Sequence, residues 1–101
     1  MPRRACSKDA NQDELAETFQ RLGWQVIDTH EVAQYIPGFP DMLVVRWPWT
    51  LYVEVKTEGE DLNANERAFH QTLDAPVDVC RTVDDVLAVH EIWSRRGMID
   101  A

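Results

Sequence analysis

The sequence predicts one α/β domain with the element order αβββαβα and a mixed central sheet flanked by helices. Three observations lead there. Two apolar runs, Met42-Leu43-Val44-Val45 and Leu51-Tyr52-Val53-Glu54-Val55-Lys56-Thr57, are joined by the short connection Arg46-Trp47-Pro48-Trp49-Thr50 and read as paired strands of a hairpin. Two later segments open with capping pairs, Asn63 with Glu66 and Thr82 with Asp85, ahead of helical stretches. A chain of 101 residues, 45% of them hydrophobic, has enough bulk for one modest core, and no linker or repeat divides it.

The elements follow in order. Asp9 with Gln12 reads as a capped helix start, Leu15, Phe19 and Leu22 mark its apolar stripe, and Gly23 ends it. Residues 24–29 read as the first strand and 30–40 as an irregular loop closed by Pro37-Gly38-Phe39-Pro40. The hairpin comes next. Alternation sets Leu51, Val53 and Val55 on one face of its second strand and Tyr52, Glu54 and Lys56 on the other, so one face packs and the other carries chemistry. A helix runs from the Asn63 cap to about Leu73, residues 77–81 form the fourth strand, and Val86, Val89 and Trp93 face inward from the last helix. The domain boundaries are a basic tail at 1–8, the folded domain at 9–96 and a short tail at 97–101.

The hairpin can bring Asp41, which opens the first of its strands, close to Glu54 on the second. Two carboxylates that close repel, and burial costs several kcal/mol more, so a divalent cation is their natural occupant. Hard oxygen donors suit Mg²⁺ or Mn²⁺. Such an ion lowers the pKa of bound water and stabilises charge on a phosphoryl oxygen, while a lysine beside it orients or deprotonates the attacking water. Asp41, Glu54 and Lys56 are therefore expected to hydrolyse phosphodiesters. A solvated strand face produces Asp, a gap and Glu-x-Lys by chance, but here spacing, strand context and flanking caps agree. In the first helix Glu14 lies about 105° from the apolar stripe and Glu17 about 165°, at about 100° per residue, which puts Glu14 at the edge of the packed face and Glu17 in solvent.

Gly38-Phe39-Pro40-Asp41-Met42-Leu43-Val44, Tyr52-Val53-Glu54-Val55-Lys56 and Leu62-Asn63-Ala64-Asn65-Glu66-Arg67-Ala68-Phe69-His70 together resemble the PD-(D/E)XK nuclease superfamily, and within it the small VRR-NUC (virus-type replication-repair nuclease) proteins of phages and prophages. Asp9-Ala10-Asn11-Gln12-Asp13-Glu14 and Ala75-Pro76-Val77-Asp78-Val79 are similar to them as well, so the likeness spans residues 9–90. It implies a restriction-endonuclease-like core and a Mg²⁺- or Mn²⁺-dependent deoxyribonuclease leaving 5′-phosphate and 3′-hydroxyl ends. It further implies Asp41, Glu54 and the Val55 backbone carbonyl as metal ligands, Lys56 as the group that positions water, and Glu14 as the assisting acid of the first helix. Relatives carry glutamine where this chain has Glu66, which the sequence also explains as the capping partner of Asn63. Some relatives cut branched junctions and others nick or trim, so junction, flap and nicked DNA are all expected substrate forms. The setting implied is phage replication, recombination or repair.

The formal net charge of −8 is unusual for a protein that meets a polyanion and argues against tight non-specific DNA binding. The basic groups placed to touch phosphates are Arg3, Arg4 and Lys8 before the first helix and Arg95 and Arg96 after the last, with His70 a further contact. Trp47 and Trp49 bracket Pro48 at the turn, where they can wedge into DNA or close an interface. That turn, together with Ile92 and Trp93, supplies apolar surface for a homodimer, the arrangement that would give two sites related by a two-fold axis.

No apolar stretch reaches the ~18 residues of a membrane span, and Met-Pro-Arg-Arg is not a signal peptide, so a cytoplasmic protein without a membrane partner is expected. Cys6 and Cys80 are too few for a disulfide framework, His30 and His90 lack spaced metal partners, and no motif calls for an organic cofactor. Two other classes fit the sequence: an inactive DNA-binding or assembly module of the same fold, and an acidic protein that mimics DNA. The first would have lost one of the three core residues, and the second would spread its carboxylates rather than converge them.

Overall fold

The computed structural model describes residues 11–97. Its element order is α1 (Gln12–Arg21), β1 (Gln25–Asp28), a 3₁₀ helix (His30–Gln34), β2 (Met42–Arg46), β3 (Trp49–Val55), α2 (Ala64–Thr72), β4 (Val77–Cys80) and α3 (Val83–Arg95). The order αβββαβα is thus present, with a 3₁₀ helix in the segment expected to be irregular. The four strands form one mixed sheet in the order β1-β2-β3-β4, antiparallel except for the β3–β4 pair, which α2 connects.

The hairpin is tighter than expected. β2 and β3 extend to Arg46 and from Trp49, so only Trp47 and Pro48, joined by a cis peptide, form the turn. Two-residue connections set the register of a hairpin. Met42 stands opposite Val53 and Val44 opposite Leu51, and all four are buried on one face beneath α1 and α3. The core on that face includes Leu15 and Phe19 of α1, Val55 and Cys80 from the sheet, and Val86, Val89 and Trp93 of α3, with Leu22 packed against it. The inward stripes expected of the first and last helices are therefore present. Trp93 is only 9% exposed, which removes it from the surface offered for self-association. The Cys80 thiol is buried and pushed up to about 12 by that burial and by Asp78 and Asp85, consistent with an inert core residue.

The start of α1 differs from expectation. Its N-cap is Asn11, whose side chain makes no cap bond; Asp9 lies outside the described residues. Asn11 Nδ2 instead donates to the Lys56 carbonyl at 3.1 Å and the Arg81 carbonyl at 2.8 Å, tying together the chain just beyond β3 and β4. Both later capping boxes form as expected, Asn63 with Glu66 and Thr82 with Asp85.

α2 and the 3₁₀ segment lie on the second face of the sheet, on either side of its polar cavity. Phe39 packs on Tyr52 of β3 and on Phe69 of α2, with ring centroids 6.4 and 5.4 Å apart. Gly38, at φ +86°, lies so close to the Asn65 carbonyl that a Cβ there would collide with the first turn of α2. Among the described residues no helix is long and apolar enough to cross a membrane.

Candidate active site

Continuing the β2–β3 register one residue past Met42 sets Asp41 against Glu54. Two hydrogen bonds hold Asp41 there and a third holds its neighbour Pro40. Asp41 Oδ2 accepts from the Val55 N–H at 2.8 Å, its carbonyl accepts from the Thr29 N–H at 2.8 Å, and the buried Thr29 hydroxyl donates to the Pro40 carbonyl at 2.7 Å. The aspartate is thus fixed from both neighbouring strands. Asp41, Glu54, Lys56 and Glu66 line a cavity of about 320 Å³, closed by the 3₁₀ segment on one side and the first turn of α2 on the other. His30, Gly38, Asn63 and Asn65 complete its rim.

Glu54 and Lys56, on the face of β3 expected to carry chemistry, line the cavity and are covered rather than solvated. Glu54 is 1% exposed and Lys56 6%. Burial first, then a hydrogen bond to Asp41 and the charges of Asp41 and Glu66, push Glu54 up to about 10 against the opposing pull of Lys56. In this state Glu54 keeps its proton at neutral pH. His70 Nε2 lies 3.3 Å from Glu54 Oε1, and burial, assisted by Lys56 and opposed by Glu66, holds the imidazole below its ordinary pKa. A neutral imidazole and a protonated carboxyl are a matched hydrogen-bonding pair.

Lys56 has the opposite outcome. Burial alone would lower its pKa, but the hydrogen bond and charge of Glu66, with Glu60 and Glu54, raise it. Its Nζ is 2.8 Å from Glu66 Oε1 and 3.9 Å from a Glu60 carboxylate oxygen. Glu66 does two things with one oxygen, since Oε1 also accepts the Asn63 N–H of the capping box at 2.8 Å. The local sequence accounts for the cap alone; the lysine contact exists because β3 and α2 meet.

The donor set suits a divalent cation. Two hard carboxyl groups crowd together in a polar cavity, and the proton that relieves their repulsion occupies the role a metal would take over. Among the described residues no three His, Cys, Asp or Glu side chains converge on one point, so Asp41 and Glu54 would need a backbone oxygen, such as that of Val55, and water to fill the coordination sphere.

The other sequence-derived positions are dispersed. Glu14 is exposed on α1 and does not line the cavity. Arg3, Arg4 and Lys8 lie outside the described residues. Trp47 is 90% exposed at the hairpin tip and Trp49 is half-buried. Arg95 is the last residue of α3 rather than beyond it and pairs with Glu91, and Arg96 lies over the Trp93 ring at 5.0 Å. His70 turns toward Glu54, its Nε2 3.3 Å from Oε1. His90 accepts from Trp24 Nε1 at 3.1 Å beside the core. Thr29 was missed as a site residue, and His70, expected as a phosphate contact, was not read as a partner of Glu54, because each acts across the sheet from a part of the chain that shares no local pattern with Asp41 or Glu54. No protein-family model matches this chain, and no curated protein matches it.

Proposed function

We propose that the chain is a Mg²⁺- or Mn²⁺-dependent deoxyribonuclease of the PD-(D/E)XK type, with a restriction-endonuclease-like core, working in the cytoplasm of a bacterial host. The observation that supports it best is the cavity in which Asp41, Glu54 and a fully charged Lys56 meet. A buried carboxyl raised in pKa by its burial and by the adjoining Asp41, beside an ammonium, suits a cation and a phosphate better than packing.

When bound, the cation would neutralise the carboxyl pair, acidify water and stabilise the charge that develops on a phosphoryl oxygen. Asp41 and Glu54 would hold it, with the Val55 carbonyl alongside. His70 steadies the Glu54 carboxyl through Oε1. Lys56, kept as an ammonium by Glu66, has no lone pair with which to take a proton; it donates to water or to a non-bridging phosphate oxygen and so orients the reacting groups. Glu66 keeps that ammonium in place from α2.

The test is incubation of the protein with plasmid, nicked, flap and four-way-junction DNA in Mg²⁺, Mn²⁺ or EDTA. At least one form is cut with metal and none with EDTA, leaving 5′-phosphates. Asp41→Asn, Glu54→Gln and Lys56→Ala stay folded and lose most of the rate. Cutting at the wild-type rate by clean preparations of these variants contradicts the assignment.

A further inference from the structure

We propose that His30, held by Asp28, is the general base that takes a proton from the attacking water; the inference rests on the phosphodiesterase reading above. His30 Nδ1 lies 2.7 Å from Asp28 Oδ1, and the same oxygen accepts the His30 backbone N–H at 3.0 Å. One carboxylate oxygen thus fixes both the ring and the backbone that carries it. A carboxylate at Nδ1 keeps the ring proton on that nitrogen and leaves the Nε2 lone pair as the acceptor. The imidazole is largely covered, its side chain 15% exposed, and it lines the cavity that holds Asp41, Glu54 and Lys56.

Among the described residues that line the cavity, no other group is placed for this task. Lys56 is an ammonium bound to Glu66. Glu66 is occupied by Lys56 and by its own helix cap. Asp41 and Glu54 are the metal ligands of the proposed function, and His70 is engaged with Glu54. Asn63 and Asn65 carry amides, which are not basic. The charged and titratable groups around His30 are Asp28 from β1, Glu31 beside it in the 3₁₀ helix, and Asp41, Glu54, Lys56 and Glu66 around the cavity.

In the step, Nε2 accepts a proton from water as the water oxygen forms its bond to phosphorus. The bond from phosphorus to the 3′ oxygen breaks, and the electron pair leaves with that oxygen. The 3′ oxygen is protonated by solvent, and the imidazolium returns its proton to solvent. Water and diester are thereby converted to a 5′-phosphate and a 3′-hydroxyl with atoms and charge in balance. A proton acceptor at this position contributes about 100-fold or more in rate.

His30→Ala is assayed with Mn²⁺ on whichever DNA form the wild type cuts. The expected result is a fall in kcat of about 100-fold with little change in KM, loss of the acidic limb of the pH–rate profile, and partial recovery on adding free imidazole. Asp28→Asn lowers the rate in the same direction without unfolding the protein. Independently of activity, long-range ¹H–¹⁵N spectra of the metal-free wild type place the His30 proton on Nδ1. A His30→Ala rate and pH profile equal to wild type overturns the proposal and leaves the phosphodiesterase reading standing. A slow variant that keeps its pH profile and ignores imidazole also overturns it, since that is the signature of a positioning residue. An Nε2–H ring overturns it too. Wild-type protein that cuts no DNA form in either metal removes the reading and the proposal together.

Discussion

Glu54 makes the stability of the metal-free protein depend on pH in a way that one substitution can remove. Burial and the adjoining Asp41 raise it from 4.5 to about 10, so between those values the folded protein holds a proton that the unfolded chain has released. Its stabilisation is complete below the ordinary carboxyl range and is lost as pH rises toward about 10. The slope is at most about 1.4 kcal/mol per pH unit. From pH 7.0 to 8.5 the loss reaches about 2 kcal/mol, or a fall in Tm of about 8–16 °C for a domain of this size. Comparison with Glu54→Gln isolates Glu54 in that window from Asp78, which burial also raises. His70, lowered from 6.5, contributes stability that is lost only as pH falls below that value, and Cys80, raised from 9.0 to about 12, begins to contribute only above the window. Glu54→Gln keeps the shape and hydrogen-bonding capacity of the side chain but cannot titrate, so its Tm should be nearly flat across the window in EDTA. Saturating Mn²⁺ should replace the proton and flatten the wild-type curve as well. Thermal melts of both proteins at several pH values provide the measurement. A flat wild-type curve, or equal slopes in wild type and Glu54→Gln, refutes the argument.

Gly38→Ala drives a methyl group into the first turn of α2 from a backbone at positive φ, so it should cost more than about 1 kcal/mol in melts and slow cutting by displacing Glu66 from Lys56. Glu66→Ala leaves a covered ammonium with only the longer Glu60 contact and should destabilise by about 2 kcal/mol, whereas Glu66→Gln, which keeps the cap, should cost less. We propose that the protein works as a homodimer through Trp47 and the exposed Ile92 and Leu87 of α3. Sedimentation at micromolar concentration should then give twice the 11.7 kDa chain mass, with Trp47→Ser shifting it to monomer at unchanged Tm. Trp93→Ser should instead lower Tm steeply, because that ring is in the core.

Local pattern determined much of this molecule. Alternation in Leu51-Tyr52-Val53-Glu54-Val55-Lys56 assigns the two faces of β3 without ambiguity, because a strand has a period of two and only one face was continuously apolar. The capping boxes at Asn63 and Thr82 were legible because each closes its hydrogen bonds within three residues. The pairing of Asp41 with Glu54 also follows from sequence, since a short hairpin leaves few registers that bury Met42, Val44, Leu51 and Val53 together. Tertiary structure decided what those carboxyls meet. Glu66 reaches Lys56, His70 reaches Glu54, Thr29 steadies Asp41, and His30 joins the cavity, each across a gap in sequence that no periodicity spans. Glu14 shows the converse. Its helical angle placed it at the edge of the packed face, but an angle about one axis does not say which side of the sheet that edge overlooks. α1 lies with α3 over the apolar face, whereas α2 and the 3₁₀ segment close over the carboxyl pair, and that choice depends on how the whole chain buries its surface.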